Sequence, residues 1–195
     1  LNASIGVQYD SRDNLINPKK GIYYFTNIES GSKKNMGPEN LINIYSLKKN
    51  ISNRKIKIDF DSFMQIFKNQ IFSLSMHGRR ITSNETVISL PDQFRLGGTR
   101  SLRGYREDQF RGSNVAWSNL EYRYLFGPLS RAFVFFDSGY YSANNENGNF
   151  KFSYGFGVRL ETGLGVMGID YGLPIGEKTE GVLGGMIHVG LINTF

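Results

Sequence analysis

The chain has 195 residues, a formal net charge of +6 and no cysteine. That length fits one domain or a large part of one, and the missing thiols exclude both a disulfide framework and a thiolate metal centre. Lysines and arginines are spread among acids with no run of five or more, so the positive balance does not describe a nucleic-acid groove.

No stretch of about 18 apolar residues is present, which rules out a transmembrane helix. The opening "LNASIGVQYD" has neither a basic start nor an apolar run, so any export signal is expected upstream of residue 1. Glycine (23), phenylalanine (15) and tyrosine (11) are abundant against a single tryptophan. The periodicity of these residues is two, which is that of a strand with one face apolar.

In chain order, a first strand is expected near 1–10 and a second near 21–31, joined by "DSRDNLINPKKG". In that connection Asp10 and Asp13 flank Arg12 and are expected to cap and brace the turn. The region 41–52 is ambiguous, either a short strand or the outer extension of the strand that follows. Strand 55–67 sets Ile56, Ile58, Phe60, Met64 and Ile66 against Lys55, Lys57, Asp59, Asp61 and Gln65. Another strand, 70–82, follows the tight turn "FKNQ". A long arginine- and glycine-rich loop, about 83–113, comes next. Strand 114–126 sets Leu120, Tyr122, Tyr124 and Phe126 against Asn119, Glu121 and Arg123, and strand 131–142 follows the turn "FGPLS". After a loop at 143–149, strand 150–162 alternates Phe150, Phe152, Tyr154, Phe156, Val158 and Leu160 with Lys151, Ser153, Gly155, Gly157, Arg159 and Glu161. Strand 165–173 follows the turn "TGLG", and strand 186–195 follows the loop 174–185.

Such alternation suits a soluble β-sandwich or a membrane barrel. Three features favour the barrel. The strands run longer than sandwich strands and match a tilted crossing of hydrocarbon. Short turns alternate with long loops. One row of each strand holds glycines and charges, which is a poor dry core but a workable lumen. The expected fold class is therefore all-β, an antiparallel transmembrane β-barrel with about eight to ten strands present. His77 and His188 fall on separate strands without metal-ligand spacing, and no Gly-x-Ser-x-Gly elbow occurs. No metal, cofactor or catalytic residue is expected, and the chain is not read as an enzyme.

Several motifs then point to one family. "LGGTRSLRGY", residues 96–105, has at its core an Arg-Gly-aromatic triplet, Arg103, Gly104 and Tyr105, preceded by Gly97 and Gly98. "FVFFDSGYY", 133–141, carries Phe135, Asp137 and Gly139 in a Phe-x-Asp-x-Gly pattern, and "SNLEYRYLF" places Glu121 on the intervening strand. With "DSRDNLINPKKG" near the start, a glycine at 190 and a terminal Phe195, these elements come in order along nearly the whole chain. The sequence resembles the BamA/TamA/FhaC superfamily of outer-membrane assembly and secretion barrels, to which the bacterial surface antigens belong.

The resemblance implies that residues 1–195 are the C-terminal part of a barrel of about sixteen strands, with the loop folded into the lumen. It also implies that Arg103 is held by acids on the inner wall, and that Gly190 and Phe195 form a C-terminal strand signal. Alternation within the strands is compatible with this, because it turns Glu121 inward. If Asp137 also faces inward, so do Phe133 and Phe135, while Val134 and Phe136 face lipid. A guanidinium can serve two carboxylates at once. The other arginines, Arg95, Arg100, Arg106 and Arg111, are expected to be solvated or paired in the lumen. Asn193 departs from the family pattern, standing where an outward apolar residue is usual.

The function implied is assembly, insertion or translocation of proteins at the bacterial outer membrane. The partners implied are membrane lipid, unfolded client proteins, and accessory subunits or a second copy. Two alternatives stand beside it. The barrel could anchor or scaffold an upstream enzyme or binding domain, or the chain could be a short dimerising relative acting as a structural barrel or pore.

Overall fold

The computed structural model describes residues 2–34, 36–37, 48–85, 87–143, 147–177 and 184–192. Among the described residues, nine strands form one antiparallel sheet: β1 (Asn2–Asp10), β2 (Gly21–Lys34), β3 (Asn50–Phe67), β4 (Gln70–Ser83), β7 (Asn114–Leu125), β8 (Arg131–Ser142), β9 (Asn149–Thr162), β10 (Gly165–Ile175) and β11 (Met186–Ile192). Each pairs with the next in the chain. Two short strands, β5 (Phe94–Leu96) and β6 (Phe110–Gly112), make a separate hairpin within the connection from β4 to β7. The sheet is not closed: β1 and β11 form its two edges. No helix among the described residues is long and apolar enough to cross a membrane.

Several boundaries differ from the sequence expectation. β2 continues to Lys34 and β3 begins at Asn50, so residues 50–52 are the outer extension of β3, while 41–47 lie outside the described residues. These two strands continue their pairing, Lys34 opposite Asn50, past the point where apolar alternation fades. β10 runs on to Ile175 because Pro174 and Ile175 still lie opposite Ser153 and Phe152. The arginine-rich loop is more ordered than its composition suggests. Leu96 and Phe110 lie opposite each other in its hairpin, too short a ladder to show a period.

The two faces of the sheet differ as the alternation requires. On β8, Val134 is 57% exposed and Phe136 43%, whereas Phe133, Phe135 and Asp137 on the other face are 4%, 5% and 0%. The same outward row continues through Ile58, Met76, Tyr122, Phe156, Ile169 and Val189. So wide an apolar surface on one side suits a face turned to hydrocarbon. The opposite face carries the loop and is called the inner face here.

All the tight turns fall at one end of the sheet, 68–69, 126–130 and 163–164, together with the connection 11–20 and the end of β11. That connection is built from side-chain caps. Asp10 grips Arg12 through two bonds of 2.7 and 2.9 Å, and Asp13 accepts the backbone N–H groups of Lys19 (2.9 Å) and Lys20 (3.2 Å). Asn14 accepts from Ile16 and Asn17, both at 2.8 Å. Its tip then reaches the turn after β7: the buried Asn17 donates to the Pro128 carbonyl at 3.1 Å, and Arg131 donates to Ile16 O and Asn17 Oδ1.

Candidate functional site

Leu102 and Leu96 are wholly buried and, with Tyr105 and Val115, make an apolar cluster between loop and wall, flanked by Phe94, Phe110, Trp117 and Tyr141. Burying side chains of this size stabilises by about 1.5–3 kcal/mol each. This packing lays the loop on the inner face across β7 and β8. Gly139 on β8 leaves room for it; a Cβ there would sit 3.0 Å from Leu96 and 3.1 Å from Leu102. Tyr105 is buried against Phe110 and donates its hydroxyl to the Phe152 carbonyl at 3.0 Å. Burial, and then Glu177, push the Tyr105 phenol up to about 12.

The packing delivers Arg103 to the carboxylates. Its Nη1 donates to Glu121 Oε1 at 2.6 Å, its Nη2 to Asp137 Oδ1 at 2.7 Å and its Nε to Asp137 Oδ2 at 2.9 Å. The Arg103 backbone N–H adds a fourth bond, to Asp137 Oδ2 at 3.0 Å. The guanidinium carbon sits 3.6 Å from the centre of the Phe135 ring, so one flat face is covered by an aromatic while its edges are saturated by acids. Arg103 is 3% exposed. Such burial disfavours the charge, but Glu121 and Asp137 outweigh it and hold the Arg103 pKa above the ordinary guanidinium value. A lysine ammonium could not serve both acids in one plane.

Backbone contacts complete the seat. Gly104 has φ 86°, and its chain runs against Gly172 of β10, where a Cβ would fall 2.8 Å from Gly104 Cα. Only two glycines allow that approach. Gly97 and Gly98 also have positive φ, 121° and 91°, and turn the chain after β5; there Thr99 donates its N–H and hydroxyl to Glu107 Oε1. Among the remaining loop arginines, Arg95 pairs with Asp108 at 2.7 Å, and Arg100, Arg106 and Arg111 are exposed.

The structure thus brings Gly97, Gly98, Arg103, Gly104, Tyr105, Glu121, Phe135, Asp137 and Gly139 into one place. Gly190 lies on β11 opposite Gly168, away from the clasp, and Phe195 is outside the described residues.

Four further residues belong to the arrangement and are not named by the motifs. Arg123, two places along β7, donates to Glu121 Oε2 at 2.7 Å and so occupies the oxygen that Arg103 leaves free. Gly172 provides the backbone seat, and Glu107 braces the loop. The imidazole of His188, on β11, accepts the Gly104 N–H at 3.1 Å. Strand parity places Arg123 and Gly172 on the inner face, but nothing local in the sequence marks Gly172 or His188 as partners of the loop, from whose Gly104 they lie 68 and 84 positions away.

Beside the clasp, Arg159 and Asp170 pair through two bonds of 2.5 and 2.8 Å, and the Arg159 and Arg131 guanidinium carbons stand 5.0 and 5.9 Å from the Phe133 ring centre. The rings of Phe133 and Phe135 reach over Gly157 and Gly155, where side chains would displace them. No group of three or more His, Cys, Asp or Glu residues suited to a metal ion occurs among the described residues.

Over 190 residues the chain is 27% identical to the outer membrane protein assembly factor BamA of Nitratidesulfovibrio vulgaris, covering 88% of this chain but only 22% of that protein. A structural likeness to CdiB from Acinetobacter baumannii covers 89% of this chain and 47% of that one, with 12% identity and a TM-score of 0.38. The description of the Omp85 superfamily domain matches residues 1–195. The chain belongs to the Omp85 superfamily and, with it, to the β-barrel proteins of the bacterial outer membrane.

Proposed function

We propose that residues 1–195 form the C-terminal, loop-bearing part of an outer-membrane barrel that inserts or translocates other proteins. The observation that carries this reading is the buried clasp of Arg103 between Glu121 and Asp137. It fixes an otherwise solvated loop against the inner wall, so the space enclosed by the barrel has a rigid, polar lining beside the edge strands. Open strand edges are not tolerated in hydrocarbon, because their N–H and C=O groups would go unpaired. Edges β1 and β11 must therefore be covered, by further strands of the same protein or by a partner. An edge that exchanges its cover offers backbone pairing to an incoming client strand. Client proteins still unfolded, accessory subunits and surrounding lipid are the partners this role requires.

The test is client insertion into proteoliposomes containing the full-length protein. Arg103→Ala is expected to lower the insertion rate at least about tenfold, as release of a buried ion pair would, and Arg103→Lys to restore only part of it. A barrel that inserts clients at the unaltered rate with Arg103→Ala, while its loop becomes cleavable, would show that the clasp has no part in the activity.

A further inference from the structure

β11 is the least secured strand of the sheet. Among the described residues it is the shortest of the nine and has one strand neighbour, and its outward residues Ile187, Val189 and Leu191 are all well exposed. Its described inward residues are Met186, His188 and Gly190; of these His188 alone is buried, at 7%. Beyond its ladder to β10, β11 is joined to the loop, among the described residues, by one directional bond, from Gly104 N–H to His188 Nε2. That bond is made by the residue next to Arg103. The carboxylate clasp and the edge strand thus meet within two consecutive residues.

We propose that His188 is a positioning residue that fastens the C-terminal edge strand to the clasped loop, and that it does so only as neutral imidazole. The chemistry sets the polarity. To accept from Gly104, Nε2 must carry a free lone pair, so the proton resides on Nδ1. Once protonated, both ring nitrogens are donors and the Gly104 N–H faces a second N–H at close range. The bond is therefore complete at high pH and lost as the imidazole charges. The charged groups facing this ring are Glu107 and Arg103 from the loop, Asp170 from β10 and Asp137 from β8. Asp170 and Asp137 are already engaged by Arg159 and Arg103.

This inference rests on the reading above that β11 is an edge whose cover changes, but its test does not depend on client transport. Amide hydrogen exchange is followed in the full-length protein in lipid nanodiscs, for residues 186–192 and, separately, for 119–123 and 135–139. At pH 8, His188→Ala is expected to raise exchange of 186–192 about fivefold, the worth of one lost hydrogen bond, and to leave the clasp segments unchanged. His188→Gln places an amide oxygen near the same point and is expected to restore protection. Lowering the pH to 5 is expected to loosen 186–192 in the natural protein and not in His188→Gln. Unchanged exchange of β11 in His188→Ala overturns the proposal. So does equal loosening of the clasp segments, or an acid response that persists in His188→Gln. Client insertion measured on the same samples separates the two readings. Loosened β11 with insertion unaffected would leave the fastening intact and remove only its link to transport.

Discussion

Two ion pairs on the same inner face have the same length and opposite circumstances. Arg103 reaches Glu121 at 2.6 Å and Arg79 reaches Asp59 at 2.6 Å. The side chains of the first pair are 4% and 10% exposed, and those of the second 17% and 15%. The first lies beneath a packed loop and is saturated, with Asp137, Arg123 and the Phe135 ring as further neighbours. The second, with His77 bonded to the same carboxylate and Trp117 beneath the guanidinium, lies on the β3–β4 wall and keeps more of its contact with solvent. Distance alone says nothing about which pair matters. What differs is the water each side chain has lost, and with it the consequence of leaving one charge behind.

The contrast gives an ordered set of expected effects. Arg103→Ala strands the buried Asp137 carboxylate and leaves Glu121 with Arg123 alone; it is expected to destabilise the barrel by about 3–5 kcal/mol, read from urea unfolding in detergent, with protease cleavage appearing within residues 95–112. Gly172→Val leaves every charge in place but drives a side chain into the Gly104 backbone; a cost of about 1–3 kcal/mol and the same new cleavage sites are expected. That would show that the clasp depends on the backbone seat as well as on the charges. Arg79→Ala, the matched change at the less buried pair, is expected to cost about 1 kcal/mol or less and to leave cleavage of the loop unaltered. A loss as large as that of Arg103→Ala would erase the distinction drawn between the two walls.

The smallest effect concerns the entry to the loop. Lys33, together with burial and Ser89, acts on Asp92; the hydrogen bond from Lys33 is the largest influence, and the net result is a carboxyl below its ordinary range. A carboxyl depressed in the folded state contributes stability that is complete above about pH 4 and disappears as pH falls through its folded value. Exchange of the amides near residues 88–93 is therefore expected to rise in acid, and Lys33→Ala is expected to bring that rise to a higher pH.

How far these features are legible in the sequence depends on the range over which each is decided. Strand existence, the outward row and the inward parity of Glu121 are set by nearest neighbours, and alternation reveals them; the inward facing of Asp137 follows only from the family motif, because residues 133–136, FVFF, are apolar on both faces. The boundaries of β2 and β3 are set by pairing across the sheet rather than by their own polarity, so Ser32–Lys34 and Asn50–Ser52 carry no signal of their strand state. Arg103 is identifiable because a family motif surrounds it. Its companions Gly172 and His188 are selected by a loop that crosses two other strands before reaching them, and no local pattern records that crossing. The hairpin of β5 and β6 is hidden by its brevity and by the charges of Arg95 and Arg111.

The contact between the tip of 11–20 and the far turn also has a mechanical meaning. Asn17 and Arg131 join the beginning of the sheet to its middle across the open side, like a spoke set between two points of a rim. Hydrogen bonds fail within about 1 Å of stretch, so the separation of those two points is held nearly constant. Any widening of this end has to be taken up in the arcs on either side of the spoke. Among the described residues, the arc that bears β9, β10 and β11 ends in a strand with one neighbour, and strain would collect there.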